Sequence, residues 1–463
     1  FKTIDRLQYI GAMGHPGGGR NDIPNRAKSK FFAFNMPLPS ETSIENIYGS
    51  ILRARFNAKQ GAGPQVTECS RKLTAATIAL WRGVKGKLLP TPQRFHYVFN
   101  MREISRVFQG VLETPLEVIS EPRALVGLWA HECVRVFSDR LCDHQDKNVV
   151  YSAVSELCRE HFGAGMIGDP SEMWWADFQR EGTEDPVTGE ALPPLKVYEP
   201  IVSVDDIRGK AEVCLEVYNS HFPSKAMELV LFDEALRHLM KINRSIQLKR
   251  SSCMLVGVGG SGKQSLTRLA AYISRHSLHQ IALTKTYSDN SLFDDLKLLY
   301  VSAGQKGQAT TFLLTDAEIK HESFLEYMNS VLATGEVAGL LAKDERDAMC
   351  AEVRNDYARD RPNQDESLSK MYQYFLDRLR DNLHIVFCFS PVGSKFVVRS
   401  QKFPAVFGGV SINWFLPWPE AALVALSSAF LGKCAIDTPP DSKQALYHLM
   451  GAYQTNVRDV CEL

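Results

Sequence analysis

Two kinds of hydrophobic patterning divide the chain. From Leu73 to Phe162 apolar residues recur at helical spacing, with breaks at Gly86 to Pro92 and near Pro115 and Pro122, and the spacing predicts a small helical bundle. Beyond residue 204 helices are expected over 205–221 and 233–245. Short apolar runs then alternate with helically spaced ones. Strands are predicted at Cys253 to Val256, Gln280 to Leu283, Thr310 to Thr315 and Leu383 to Phe389. Helices are predicted from Leu266 through Ile273, at Ser291 to Ala303 and at Glu322 to Thr334. Such alternation is the mark of a parallel α/β sheet. The charged stretch 343–381 reads as two helices parted at Arg361, Pro362 and Asn363, with its charges on solvated faces, and the tail from Pro419 to Leu463 reads as helix.

The first 65 residues are less regular. Leu7 to Met13 reads as a short buried strand, His15 to Asp22 as an irregular loop and Phe31 to Met36 as a second strand closed by Pro37 and Pro39. A helix carrying Ile44, Ile47, Tyr48 and Ile51 follows, and Thr42 and Glu45 have the spacing of a capping box at its start. Over 164–204 Gly, Asp, Pro and Glu are mixed with Trp174, Trp175 and Phe178, and a domain boundary is expected there.

Composition narrows the classes. A chain of 463 residues is long enough for about two to four domains. Its 53 basic and 53 acidic residues cancel, which argues against electrostatically driven binding to nucleic acid or membrane. The ten cysteines stand singly, as expected of buried thiols in a reducing compartment rather than of a zinc site or a disulfide framework. No apolar run reaches the roughly eighteen residues of a membrane span, and no signal peptide is recognised. The chain opens on Phe1 and runs almost at once into a strand-like segment, which reads as a piece of something larger.

The chemistry concentrates after Val256. Gly257, Gly259, Gly260, Ser261 and Gly262 lead into Lys263 between the predicted strand and helix, the arrangement of a phosphate-binding loop. Glycines allow successive N–H groups to turn inward, the helix adds its N-terminal dipole, and Lys263 adds a full charge for the β- and γ-phosphates. The hydroxyl that ordinarily follows the lysine and ligates Mg²⁺ is replaced by Gln264, and Ser265 comes one residue late. The strand Thr311 to Thr315 ends in Asp316, where a carboxylate holds Mg²⁺ directly or through water. A Glu directly after that Asp is well placed to activate the attacking water, but here the position is Ala317. Glu318, one residue further on, is aimed in another direction and is a doubtful substitute. Ser390, at the end of the strand through Phe389, is either a γ-phosphate contact or a turn serine before Pro391. Arg399 is either a trans-acting arginine for a transferring phosphoryl group or a solvated surface residue.

With these residues in place the chain resembles a dynein heavy chain of the axonemal, outer-arm type. The resemblance runs over essentially the whole length. It rests on the loop Gly257 to Ser265, on Phe312 to Ile319 with Glu322 to Leu325, and on Trp414 to Ala421, which resemble the fourth AAA+ module of the motor ring. It rests also on Glu228 to Leu236, similar to the adenine-side stretch, on Ile10 to Pro24 and on Phe99 to Gly110, which resemble parts of the third module. The resemblance implies an α/β AAA+ fold with small helical subdomains. It divides the chain into the end of the third large subdomain (1–70), its helical subdomain (71–165), a linker (166–204), the fourth large subdomain (205–430) and the start of its small subdomain (431–463). It implies ATP or ADP with Mg²⁺ as cofactors, held by Gly257 to Lys263 with Gln264 and Ser265, by Val230 and Leu231 beside the base, by Asp316 and Ser265 at the metal, by Ser390 as first sensor and Arg399 nearby, and by Arg102 as second sensor of the third module. In the segment after Arg20 the expected arginine-finger position is Ser29, so Arg26 or Lys30 is left to compensate. Implied partners are the neighbouring modules of the ring, microtubules through regions outside this chain, and intermediate and light chains through the tail, in the axoneme of cilia and flagella.

Gln264 and Ala317 both weaken hydrolysis while leaving phosphate binding intact. The expectation is therefore a regulatory nucleotide site with slow or absent turnover. The alternative is a structural ring scaffold holding non-exchanging nucleotide or none.

Overall fold

The computed structural model describes residues 7–14, 23–184, 191–192, 194–362, 364–393, 395–434 and 439–462. Five helices build the first folded unit: α1 (Glu41–Arg55), α2 (Pro64–Lys87), α3 (Met101–Glu113), α4 (Pro122–Ser138) and α5 (His144–Phe162). Their inward residues, among them Leu73, Leu80, Val107, Leu125, Trp129 and Val154, form one core, as the helical periodicity requires. Side-chain caps start them. Ser40 accepts from the N–H of Ser43 at α1, so the cap lies two residues before the expected box at Thr42. Asn100 and Glu103 form a reciprocal capping box at α3.

The second unit is a five-stranded, wholly parallel sheet of β1 (Cys253–Val256), β2 (Ser277–Gln280), β3 (Thr310–Thr315), β4 (Leu383–Phe389) and β5 (Ser411–Trp414) in the order β2-β3-β4-β1-β5. All residues of β1, β3 and β4 are buried, which explains their mainly apolar composition, broken only by Thr310, Thr311, Thr315 and His384. Alternate side chains serve two cores. Cys253 and Leu255 face α6 (Val204–His221), α7 (Asp233–Gln247) and α8 (Lys263–Ser274). Met254 and Val256 face α9 (Asp289–Leu299), α10 (Ser323–Thr334) and the helices of the 343–382 segment.

Several expectations change. Residues 7–13 and 31–36 form no strand, and Ile10 and Phe32 are 95% and 93% exposed. A strand is stabilised by backbone partners on a sheet, and none lies beside these segments among the described residues. The edge strand β2 sits three residues before the expected Gln280 to Leu283, because an edge of Ser, Leu, His and Gln carries little apolar signal. β5 was not anticipated at all, being four residues long and only half apolar. The 343–381 stretch makes three helices, at Lys343–Glu352, Arg354–Asp360 and Leu368–Asn382, whose Met349, Tyr357 and Phe375 enter the core beneath their charged surfaces.

The two units meet through buried polar chemistry. Glu132 of α4, fully buried, accepts from Arg135 Nε at 2.7 Å and from Arg244 Nη2 of α7 at 2.7 Å. Arg244 also donates to the Gly110 carbonyl at 2.9 Å and lies 3.7 Å from the centre of the Tyr198 ring. A Cβ at Gly110 would stand 2.2 Å from the Glu132 carboxyl carbon, so this close approach requires glycine. Nearby, Trp414 N–H donates to the Asp139 carbonyl at 2.9 Å, and His96 stacks on Trp414 with centroids 4.6 Å apart. The 164–204 segment is packed in the same seam, with Trp175 and Tyr198 in the helical core and Trp174 in the sheet core.

The two arginines hold the Glu132 carboxyl down at about 2 against the burial that would raise it. Its folded pKa is depressed, so its contribution is complete above the ordinary carboxylate pKa of about 4.5 and is lost as pH falls toward about 2. Glu132→Ala, which leaves two buried guanidinium groups unpaired, is expected to cost roughly 3–5 kcal/mol in denaturant unfolding. Burial lowers His96, His131 and His276 to about 3 and His384 to about 4. The unfolded chain therefore takes up protons below about pH 6.5 that the folded chain refuses. Unfolding midpoints measured from pH 7 to 4 are expected to fall steadily.

Candidate functional site

The loop between β1 and α8 lies at the carboxyl end of the sheet, where β1 sits between β4 and β5 while the chain itself crosses to β2 at the far edge. Ligands of open α/β sheets bind at such a switch point. Gly257 N–H donates to the Phe389 carbonyl at 3.1 Å, fixing the loop to the end of β4. A Cβ at Gly257 would come within 2.7 Å of Phe415 Cβ, while Gly260 and Gly262 take φ of 79° and 80°, the left-handed region that favours glycine. Lys263 folds back over the loop. Its ammonium donates to the carbonyls of Gly257 and Val258, both at 2.7 Å, and to Ser261 Oγ at 3.0 Å. Burial lowers its pKa, while Cys388 and Asp316 oppose the shift, so the carboxylate at the end of β3 acts on the ammonium across the end of β4. Gln264 is exposed and Ser265 half-buried on the first turn of α8, and Thr267 is turned back to the Lys263 carbonyl at 2.7 Å.

The sheet brings Asp316, Ser390 and Arg399 together. Asp316 Oδ2 accepts the Ser390 N–H at 2.6 Å, and Oδ1 accepts Arg399 Nη1 at 2.6 Å. Arg399 is buried and paired within its own chain, an arrangement the sequence did not anticipate for a trans-acting or solvated residue. Glu318 is turned the other way. Its buried carboxylate accepts the Thr315 N–H at 2.7 Å and Gln280 Nε2 at 2.8 Å, on the side of the edge strand β2 and away from the loop. One residue of displacement at the end of β3 thus converts a prospective base into a cap.

On the opposite flank Leu231 is buried and Val230 half-buried beside α7, with Phe232 edge-on to Trp418 at 5.3 Å. Arg102 is exposed near Gly408, remote in sequence but at the contact between the two units. Arg26, Ser29 and Lys30 are exposed around a short helix at Asn25–Lys28, in which Ser29 Oγ donates to the Arg26 carbonyl. Arg20 and the motif residues His15 to Asp22 lie outside the described residues. Sequence reasoning missed Phe415, which closes the loop against Gly257 and stacks on His238 at 3.7 Å. The Trp-Phe-Leu-Pro run around it was the available signal.

A parallel sheet in this order, with a lysine-bearing glycine loop after the interior strand β1 and a helical unit against its edge, defines a P-loop domain of the AAA+ class. The family model described as the P-loop containing dynein motor region D4 matches residues 227–463, an AAA+ lid domain matches 73–173, and a second P-loop containing dynein motor region matches 1–39. The chain belongs to the dynein motor family. It is 44% identical to dynein axonemal heavy chain 5 of Mus musculus over 468 residues, covering all of this chain and 10% of that protein. It is 41% identical to the dynein gamma chain, flagellar outer arm, of Chlamydomonas reinhardtii over 480 residues, covering all of this chain and 11% of that protein. The chain therefore spans roughly a tenth of the length of these relatives.

Gly257→Ala forces the loop away from the Phe415 side chain and from the end of β4. Nucleotide retention at this site, followed by filter binding, is expected to fall by about tenfold or more, since a misplaced loop forfeits at least one charge-assisted contact.

Proposed function

We propose that residues 257–265 bind ATP or ADP with Mg²⁺ in the fourth AAA+ module of an axonemal, outer-arm dynein heavy chain, and that the site is mainly regulatory with slow or absent hydrolysis. What supports this reading is the orientation of Glu318: the first acidic side chain after Asp316 accepts from the Thr315 N–H and from Gln280 Nε2, and Ala317 fills the position from which a base would act. Phosphate would be held by the loop N–H groups and Lys263, the base flanked by Val230 and Leu231, and Mg²⁺ would meet Asp316 with Ser265 as the nearest hydroxyl of the helix. The donor set fits such an ion, because a nucleotide-bound Mg²⁺ needs only one or two carboxylates beside phosphate and water, and Asp316 already acts on the Lys263 charge.

Within this reading the third large subdomain ends ahead of α1, and its helical subdomain begins at α1 rather than at the expected residue 71, because Ile44, Leu52, Phe56 and Val66 pack in the helical core; 166–204 connect, 205–430 form the fourth large subdomain and 431–463 begin its small one. Arg102 would serve the third module's site. The parent protein would be an ATP-driven microtubule motor of the ciliary and flagellar axoneme. Its partners would be the other modules of the ring, microtubules through regions outside this chain, and intermediate and light chains through the tail. A scaffold role is the second reading, favoured by the Lys263 ammonium being satisfied by its own loop.

Single-turnover hydrolysis, in a ring where only this site can bind, is expected to show no fast burst. A fast burst abolished by Lys263→Ala would overturn the regulatory reading. Purified protein is expected to exchange its nucleotide with added ATP, whereas unexchangeable ADP would favour the scaffold.

A further inference from the structure

Asp316 spends both carboxylate oxygens inside the chain, one on the Ser390 N–H and one on Arg399. Arg399 is 8% exposed, and its guanidinium lies 5.7 Å from the centre of the Phe389 ring at the end of β4. It is carried by the short helix at Lys395–Lys402. Phe396 of the same helix packs against Phe407 and Phe95 at 5.3 Å each and against Trp414 at 6.2 Å. Phe95 and His96 belong to the helical unit, and His96 stacks on Trp414. One buried arginine and one helix thus join the acid beside the phosphate loop to the face of the preceding unit.

We propose that Arg399 is a positioning residue acting in cis: it holds Asp316 in a self-paired arrangement that Mg²⁺–nucleotide must break, and its release loosens the 395–402 helix from the Phe95 and His96 face. This rests on the reading of residues 257–265 as a nucleotide site. A guanidinium and a divalent cation repel each other at a shared carboxylate, and the low dielectric around a buried arginine leaves that repulsion weakly screened. The ion therefore gains Asp316 only as Arg399 leaves it. Linkage is reciprocal, so firm seating of the helical unit on the 395–402 helix opposes the metal, and displacement of that unit favours it. Nucleotide without metal leaves the pair intact, because the phosphates are met by the loop and Lys263 on the other side of β4. Occupancy by Mg²⁺–nucleotide, rather than hydrolysis, is then the signal passed to the neighbouring unit.

Hydrogen–deuterium exchange of the full heavy chain reads this site apart from the other nucleotide sites. With ADP and excess chelator, the loop peptide 257–266 is expected to gain protection while the 395–402 peptide stays unchanged. On adding Mg²⁺ the 395–402 peptide is expected to exchange about threefold faster or more, as expected for loss of a local tether. Arg399→Gln is expected to give that faster exchange with no ligand and no further response to Mg²⁺. Asp316→Asn, a milder change at a half-exposed side chain, is expected to do the same where Arg399→Gln fails to fold. The inference is overturned if the loop is protected by nucleotide but 395–402 ignores Mg²⁺, or if either folded variant exchanges as the natural chain does. Absence of loop protection under any condition would overturn the nucleotide reading, and this inference with it.

Discussion

The buried pairing of Glu132 with Arg135 and Arg244 is the contact on which the arrangement of the molecule depends. It takes a carboxylate from α4 and a guanidinium from α7 out of water together, so neither unit can leave the other without exposing or orphaning a charge. An apolar seam of the same area would tolerate sliding. This one does not, because Arg244 must meet Glu132, the Gly110 carbonyl and the Tyr198 ring at once. The hydrogen bond from Trp414 to Asp139 and the His96 stack extend the same registration to the edge strand β5.

That registration reaches the phosphate loop. β5 flanks β1, and the chain turning out of β5 supplies Phe415, against which Gly257 is closed. On its other side β1 is paired with β4, whose last carbonyl holds Gly257 N–H and whose following residue holds Asp316. The site is therefore not a loop alone. It is the carboxyl end of three adjacent strands, with its charges already partnered: Lys263 by its own loop and Asp316 by Arg399 and Ser390. A ligand there exchanges interactions rather than simply adding them.

Much of this was legible in the chain. β1, β3 and β4 are interior strands buried on both faces, so their mainly apolar runs mark them residue for residue, and the glycines leading into Lys263 between a strand and a helix mark the loop by their spacing. The edge strands were shifted or missed, since a strand with one neighbour and one wet side carries no unbroken apolar run. The first segments were misjudged for the opposite reason. Leu7 to Met13 and Phe31 to Met36 have strand composition, but strand structure is made by partners, not by composition.

The sequence by itself determined the class of fold, the phosphate loop, and the two departures at Gln264 and Ala317, because these are properties of local spacing and residue type. Only the tertiary structure decided where the charged groups spend themselves. That Glu318 caps Thr315, that Arg399 holds Asp316 and that Arg244 reaches across to Glu132 are pairings over 3, 83 and 112 residues, respectively. A charge does not carry the identity of its partner in its own position along the chain. The partner is chosen by which strand ends and helix faces the packed core brings within hydrogen-bonding distance.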